Sequence, residues 1–297
     1  MKIKIKQLIP IFISISIYIL LLFLSINEFY SSRPYDLDDY NFHYRLCKEE
    51  NNIQSCEIVA LGKPVGKDAV TLYFDFTVQY TLYYLALLGP LMVIIPSLWK
   101  LHKELKNGFY KNILTRKKYK DYIKDNYIKS LKYALLIPIL LIITFIICLM
   151  LTKNLDNSDV LRDFVSFWGH KYFLTNPINS TVCYLITFVF HGIFYVNLSY
   201  LYIKKNLHIS VTILASWLTF IACEIISEVF IGGLILYKLF NVPYAMHYFS
   251  LINIYTYENI DKFWIVPIYG FILALLSSIV IYFQMRNKEE VYIENDK

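Results

Sequence analysis

Charge is what this sequence has least of. Only 18% of its 297 residues are Asp, Glu, Lys or Arg and 57% are hydrophobic, against about 25% and roughly 45–50% in soluble domains. So few charges cannot solvate so much apolar mass, which argues against a large water-soluble helical core. Catalytic signatures are missing as well. There is no H-E-x-x-H, no G-x-S-x-G and no cysteine pair at zinc spacing, so the common zinc-hydrolase and serine-hydrolase readings fall away. The stretch Gly62-Lys63-Pro64-Val65-Gly66-Lys67-Asp68 has the look of a phosphate loop, but it lacks the Gly-x4-Gly-Lys-Ser/Thr spacing that cradles phosphates. The chain is expected to be no enzyme and to hold no cofactor or metal of its own.

Long apolar runs are abundant. Stretches of about 17–25 apolar residues are long enough to cross the roughly 30 Å hydrocarbon layer as helices, and the 27 Tyr and 21 Phe suit the aromatic belts at its two faces. The expected fold is an all-α polytopic membrane protein with about six crossings. A first crossing is expected within 1–27, at about 8–27, retained because its apolar run exceeds a signal peptide's and no small-x-small cleavage site follows. A polar extracellular insert follows at 28–79, in which Val70 to Val78 reads as a short strand or a lead-in to the next helix. The second crossing is expected at 80–98, interrupted by Gly89-Pro90 and Pro96, whose freed carbonyls need partners on neighbouring helices. The third is placed at 133–151, an extracellular loop at 152–181, the fourth crossing at 182–203 and the fifth at 208–231. Gly232-Gly233 is expected to break the next apolar run into a short or re-entrant outer segment over 232–263. The sixth crossing, 264–284, leads into a tail at 285–297.

The distribution of charge orients this arrangement. Residues 99–132 carry eleven Lys or Arg against three acidic residues, and such loops mark the cytoplasmic side. The net charge of +6 is thus a topology signal rather than a nucleic-acid one: both termini are expected in the cytoplasm and the protein in the plasma membrane. Within 99–132, Leu98, Leu101, Leu105, Phe109, Ile113 and Leu114 recur at spacings near three and four with lysines largely between them, the pattern of an amphipathic helix along the membrane.

Several residues stand out from their surroundings. Cys47 and Cys56 fall in the outer insert, where a disulfide would close a loop in a region with little core; two free thiols are the plainer alternative. Glu224 and Glu228 lie four apart in the fifth crossing and so share a helix face. A carboxylate in hydrocarbon needs a partner or water, and both a translocation role and interface anchoring fit. His191 and Asn197 in the fourth crossing either line a cavity or bond across helices.

The stretch from His102 to Tyr119, above all Glu104 followed four residues later by Gly108, then Leu114, Arg116 and Lys117, resembles the cytoplasmic coupling region of ABC-2 type permeases, the transmembrane subunits of bacterial ABC exporters. Thr115 stands where the family often has Pro, and the insert after the first crossing is longer. The resemblance implies that Leu101, Glu104, Leu105, Gly108, Phe109, Leu114 and Arg116 form a coupling helix seated on a cytoplasmic ATPase dimer. It implies too that ATP and Mg reside on that partner, and that a second permease copy or a related permease completes the pathway. An amphiphilic cargo such as a peptide, lipid or drug suits the aromatic, apolar helices. Two other readings compete: a non-transporting sensor or regulatory subunit acting through 28–79, and a membrane enzyme drawing on Glu224, Glu228, His191 and His247.

Overall fold

The computed structural model describes the chain apart from residues 1, 32–36, 61–68, 75–80, 108, 117, 153–176, 204–207, 244, 253–263 and 295–297. Its helices are α1 Lys2–Ser31, α2 Leu37–Glu50, α3 Ile53–Ala60, α4 Ala69–Phe74, α5 Thr81–Lys106, α6 Phe109–Leu114, α7 Tyr119–Ser130, α8 Leu136–Thr152, α9 Pro177–Leu201, α10 Ile209–Ile225, α11 Ala245–Phe249 and α12 Ile265–Glu294. A 3-10 turn, Leu131–Leu135, joins α7 to α8, and a π-helical stretch, Ile226–Leu239, extends α10. Among the described residues six helical segments are long and apolar enough to cross a membrane: Leu8–Asn27, Tyr84–Lys106, Lys120–Leu151, Thr181–Leu201, Ile209–Leu239 and Ile265–Gln284. The protein is a polytopic all-α membrane protein.

Prolines shape the bundle, because each removes a backbone donor and orphans the carbonyl four residues earlier. Pro96 leaves Met92 O without its helical N–H, and the Ser14 hydroxyl of α1 donates to that carbonyl at 2.8 Å. Pro138 does the same to Ala134 O, and the chain just before it tightens into the 3-10 turn. Gly192 of α9 sits directly over this turn; a Cβ there would lie 2.4 Å from Ala134 O. The Gly89-Pro90 step does not interrupt α5, which runs unbroken to Lys106.

Core packing centres on α5 and α9, whose Leu85, Met92, Ile94, Leu98, Tyr184, Phe188 and Tyr195 are fully enclosed. Contacts fix the relative directions. Ser97–Ser130 and Glu104–Tyr122 set α7 antiparallel to α5, whereas His191 against Gly270 and Leu201 against Gln284 set α12 parallel to α9. Residues 69–74 are helical where a strand over Val70 to Val78 was one expectation, and 75–78 lie outside the described residues: α4 packs on α8 through Tyr73 and Phe145, whose ring centroids are 5.4 Å apart. Leu72 and Cys148 bury beside Leu22 and Ile26 there, so α4 sits at the end of the bundle where α1 and α8 finish. The basic segment 99–132 lies at the other end.

That basic segment departs from the expected amphipathic helix. Residues 99–106 are the last two turns of α5, the chain turns at Asn107, and α6 is a separate short helix. Leu101 and Leu105 are buried inside the protein's own core cluster with Tyr122 and Ile123 of α7. Their apolar face is consumed by the returning helix and offers nothing to an outside partner.

Candidate functional site

The fifth crossing is built inside out. Thr212, Ser216, Phe220 and Glu224 recur every four residues and are buried, and Ser227 continues the stripe, whereas Val211, Leu214, Leu218, Ile225 and Ile226 face outward. Polar groups turn inward because lipid offers them no hydrogen bonds. Glu224 stands on this stripe in the last α-helical turn, just before the wider π winding begins, the kind of irregularity that concentrates at functional sites.

The Glu224 carboxylate is fully engaged. Oε1 accepts from the Ser250 hydroxyl at 2.6 Å and from Ile252 N–H at 3.3 Å, and Oε2 accepts from Leu251 N–H at 2.5 Å. All three donors belong to a segment that has doubled back. The helix runs straight through Gly232-Gly233, where a break was expected, and ends instead at Asn241, whose φ of 54° places it in the left-handed region. Asn241 N–H bonds Tyr237 O and Val242 N–H bonds Leu236 O, a Schellman-type close in which Asn tolerates the left-handed backbone. Past Pro243 the chain returns as α11, which crosses the π-helical stretch at Gly232.

Gly232 makes that crossing possible. A Cβ at Gly232 would stand 2.8 Å from Met246 Cα and 3.0 Å from Ala245 O, whereas one at Gly233 would meet only the Met246 thioether at 3.5 Å. Below the crossing, Ser227 Oγ donates to Phe249 O and pairs with Tyr269 OH, and the Phe249 and Tyr269 rings pack edge to face at 5.0 Å. The result is a latch: the carboxylate satisfies two backbone N–H groups and a hydroxyl that the fold-back would otherwise bury unpaired. Glu228 follows Glu224 by four residues, in the first turn of the π-helical stretch. Among the described residues no group of three or more His, Cys, Asp or Glu side chains could hold a metal ion.

His191 and Asn197 belong to two other places on α9. Asn197 is the hub of a seam: its Oδ1 accepts from Tyr127 OH at 2.6 Å, and its Nδ2 donates to Ser277 Oγ at 2.8 Å and Ser278 Oγ at 3.0 Å. Ser130, Ser97, Ser199 and Tyr200 carry the polar contacts onward to α5. His191 Nδ1 lies 2.8 Å from Thr187 O of its own helix, and its Nε2 has no protein partner among the described residues. Its ring fills the space opposite Gly270, where a Cβ would come within 3.0 Å of Cε1. The two residues lie on neither side of the Glu224 latch, although Tyr269, next to Gly270, touches Ser227.

Of the residues assigned to coupling, Glu104 Oε2 accepts from Tyr122 OH at 2.6 Å and its Oε1 lies 3.8 Å from Lys100 Nζ, so it ties α5 to α7. Leu114 and Ile113 of α6 are half-buried against the core, and Arg116 is exposed. Phe109 opens α6, and Gly108 and Lys117 lie outside the described residues. Far from this end, Cys47 and Cys56 are joined by a disulfide that staples α2 to α3. Phe42, Tyr44 and Ile53 are exposed on this hairpin, and Lys48 rests 4.9 Å above the Tyr44 ring, whose hydroxyl holds the ammonium above the ordinary lysine range.

Sequence reasoning found the carboxylate and missed what it holds. Ser250, Ser227 and Tyr269 carried no motif, Gly232 was read as a break, and two of the three partners of Glu224 are backbone groups that no side-chain pattern announces. The recurrence of Thr212, Ser216 and Glu224 at multiples of four residues was the one available signal. Comparison with protein-family models, with curated proteins and with solved structures finds no match to this chain.

Proposed function

We propose that the chain is the membrane-spanning permease subunit of an ATP-driven transporter, most akin to the ABC-2 exporters, moving an amphiphilic peptide, lipid or drug-like cargo. The observation that carries the reading is the fold-back between the last two crossings, latched by Glu224 at the opposite end of the bundle from the basic bend. A movable plug at one face and an energy-input element at the other is what alternating access needs. In this reading the fold-back is the re-entrant outer element, the termini and basic bend are cytoplasmic, and the disulfide hairpin sits in the oxidising exterior. Burial of Leu101 and Leu105 moves the proposed ATPase contact to the bend itself, residues 107–118, with α6 and Arg116 at its surface.

The experiment is a mild-detergent pull-down of the tagged full chain from its native membrane, with co-purifying proteins identified by mass spectrometry. A soluble protein bearing a Walker A motif should be recovered, and Arg116→Glu should lower its yield without lowering the amount of permease in the membrane. A chain recovered without an ATPase in repeated preparations refutes the permease reading. The stapled hairpin with its exposed Phe42 and Ile53 then becomes the place to look for a sensing or docking role.

A further inference from the structure

The helix that runs from α7 through the 3-10 turn into α8 crosses the boundary between water and hydrocarbon, and its residues mark the depth. From Tyr133 to Leu151 it carries no charged residue, about 28 Å at 1.5 Å per residue, close to the roughly 30 Å hydrocarbon thickness. Lys132 therefore stands at the edge of the hydrocarbon layer, its ammonium 5.0 Å over the Tyr133 ring. One turn further out Ile128 is 54% exposed although it stands outside the hydrocarbon, and Lys124 and Lys129 flank it, both exposed. Leu135 and Ile139, 45% and 50% exposed, continue the same open surface into the membrane. Exposed lysines beside open apolar surface at the hydrocarbon edge suit the layer where headgroups meet acyl chains.

We propose that this surface, made by Lys124, Ile128, Lys129 and Lys132, is a binding site for an anionic phospholipid. The lysine ammoniums take the headgroup phosphate, and Ile128 with Leu135 takes the first methylenes of an acyl chain. Charge complementarity selects the ligand. The two acidic residues on α7 are Asp121 and Asp125, and Asp125 already has an interaction of its own. Lysine stems lie along apolar surface with their charge at the headgroup level, and each lysine near an anionic lipid surface contributes about fivefold in association. The site does not depend on the transport reading.

The test uses the full chain in mild detergent, with phosphatidylglycerol, phosphatidylcholine or inorganic phosphate added as separate probes. Lipid retention is read by native mass spectrometry and stability by the melting temperature. Phosphatidylglycerol should be retained in preference to phosphatidylcholine and should raise the melting temperature. The triple variant Lys124→Gln/Lys129→Gln/Lys132→Gln should lose up to about a hundredfold of that preference while melting like the parent in phosphatidylcholine. Lys103→Gln/Lys106→Gln, at the exposed end of α5, should keep it. Should the triple variant fail to fold, Lys132→Gln alone should lower the preference for the anionic lipid, and Ile128→Ser should weaken retention of both lipids alike. Equal retention of the two lipids, a preference that survives in every lysine variant, equal loss in the α5 control, or equal stabilisation by inorganic phosphate overturns the proposal.

Discussion

Replacing Gly232 and Gly233 by alanine, one at a time, tests whether α11 really lies across the fifth crossing. Both glycines are in the same helical stretch, so the gain of about 1 kcal/mol from better helix propensity applies to each and cancels in the comparison. What remains is space. At Gly233 the new methyl meets the Met246 sulfur at 3.5 Å, ordinary contact with a flexible side chain, whereas at Gly232 it meets Met246 Cα at 2.8 Å and Ala245 O at 3.0 Å. Both close atoms are backbone, so no rotamer relieves the clash and α11 must shift, at a cost of about 1–3 kcal/mol for overpacking. With roughly 2–4 °C of melting shift per kcal/mol in domains of 150–250 residues, Gly232→Ala should melt at least about 2 °C below Gly233→Ala. Thermal loss of the monodisperse species in detergent reads the difference, and amide exchange over Ala245–Phe249 should speed up in the first variant alone. Adding Met246→Ala should not rescue Gly232→Ala, because the obstruction is main chain. Equal melting of the two single variants, or rescue by trimming Met246, would refute the crossing as described.

Three further outcomes follow from the same structure. Glu224→Ala leaves Leu251 N–H, Ile252 N–H and the Ser250 hydroxyl without their acceptor; at about 1–3 kcal/mol per buried unpaired group, amide exchange at Leu251 and Ile252 should rise roughly thirtyfold, and unchanged protection would sink the latch. Asn197→Leu removes the bonds to Tyr127, Ser277 and Ser278. At about 0.6 kcal/mol per interhelical bond in a membrane, stability should fall by roughly 2 kcal/mol, and Tyr127→Phe by about a third of that, both measurable by melting in detergent. Cys47→Ser/Cys56→Ser opens a loop closed across a sequence separation of 9, worth about 2.5–3 kcal/mol in the chain-entropy account. Proteolysis between Leu37 and Ala60 should accelerate while the transmembrane melting stays within a degree.

Hydropathy made the crossings readable, because six apolar runs in a chain poor in charge have one physical destination. Caps and packing were less legible. Gly232-Gly233 looked like a break since glycine weakens helices in water, but here it permits close approach of another segment, and the true end falls at Asn241, the residue type that tolerates a positive φ. Leu101 and Leu105 looked like a docking face because periodicity reports which side of a helix is apolar and not what covers it. Their cover is Tyr122 and Ile123, some twenty residues on, brought back where α5 gives way to α6 and α7. Pro96 was correctly expected to need a donor from elsewhere, and only the fold identifies that donor as Ser14.

The polar contacts also say which parts must move together. Tyr127 of α7 bonds Asn197 of α9, and Asn197 bonds Ser277 and Ser278 in the middle of α12. Tyr269, two turns earlier on α12, bonds Ser227 of the π-helical stretch, which in turn holds Phe249 O of the fold-back. A rigid helix carries a displacement along its length, whereas an exposed loop absorbs it. These contacts predict that movement of α7 at the basic end is passed to α12, and through Tyr269 to the segment that Glu224 latches. Tyr269→Phe keeps the ring against Phe249 and removes only the hydroxyl link. If α12 is the strut, Asn197→Leu should loosen the fold-back by amide exchange at Leu251 and Ile252 in the parent, and should add little once Tyr269→Phe is present. Additive effects of the two substitutions would mean that the seam and the latch are independent, and that α12 transmits nothing between them.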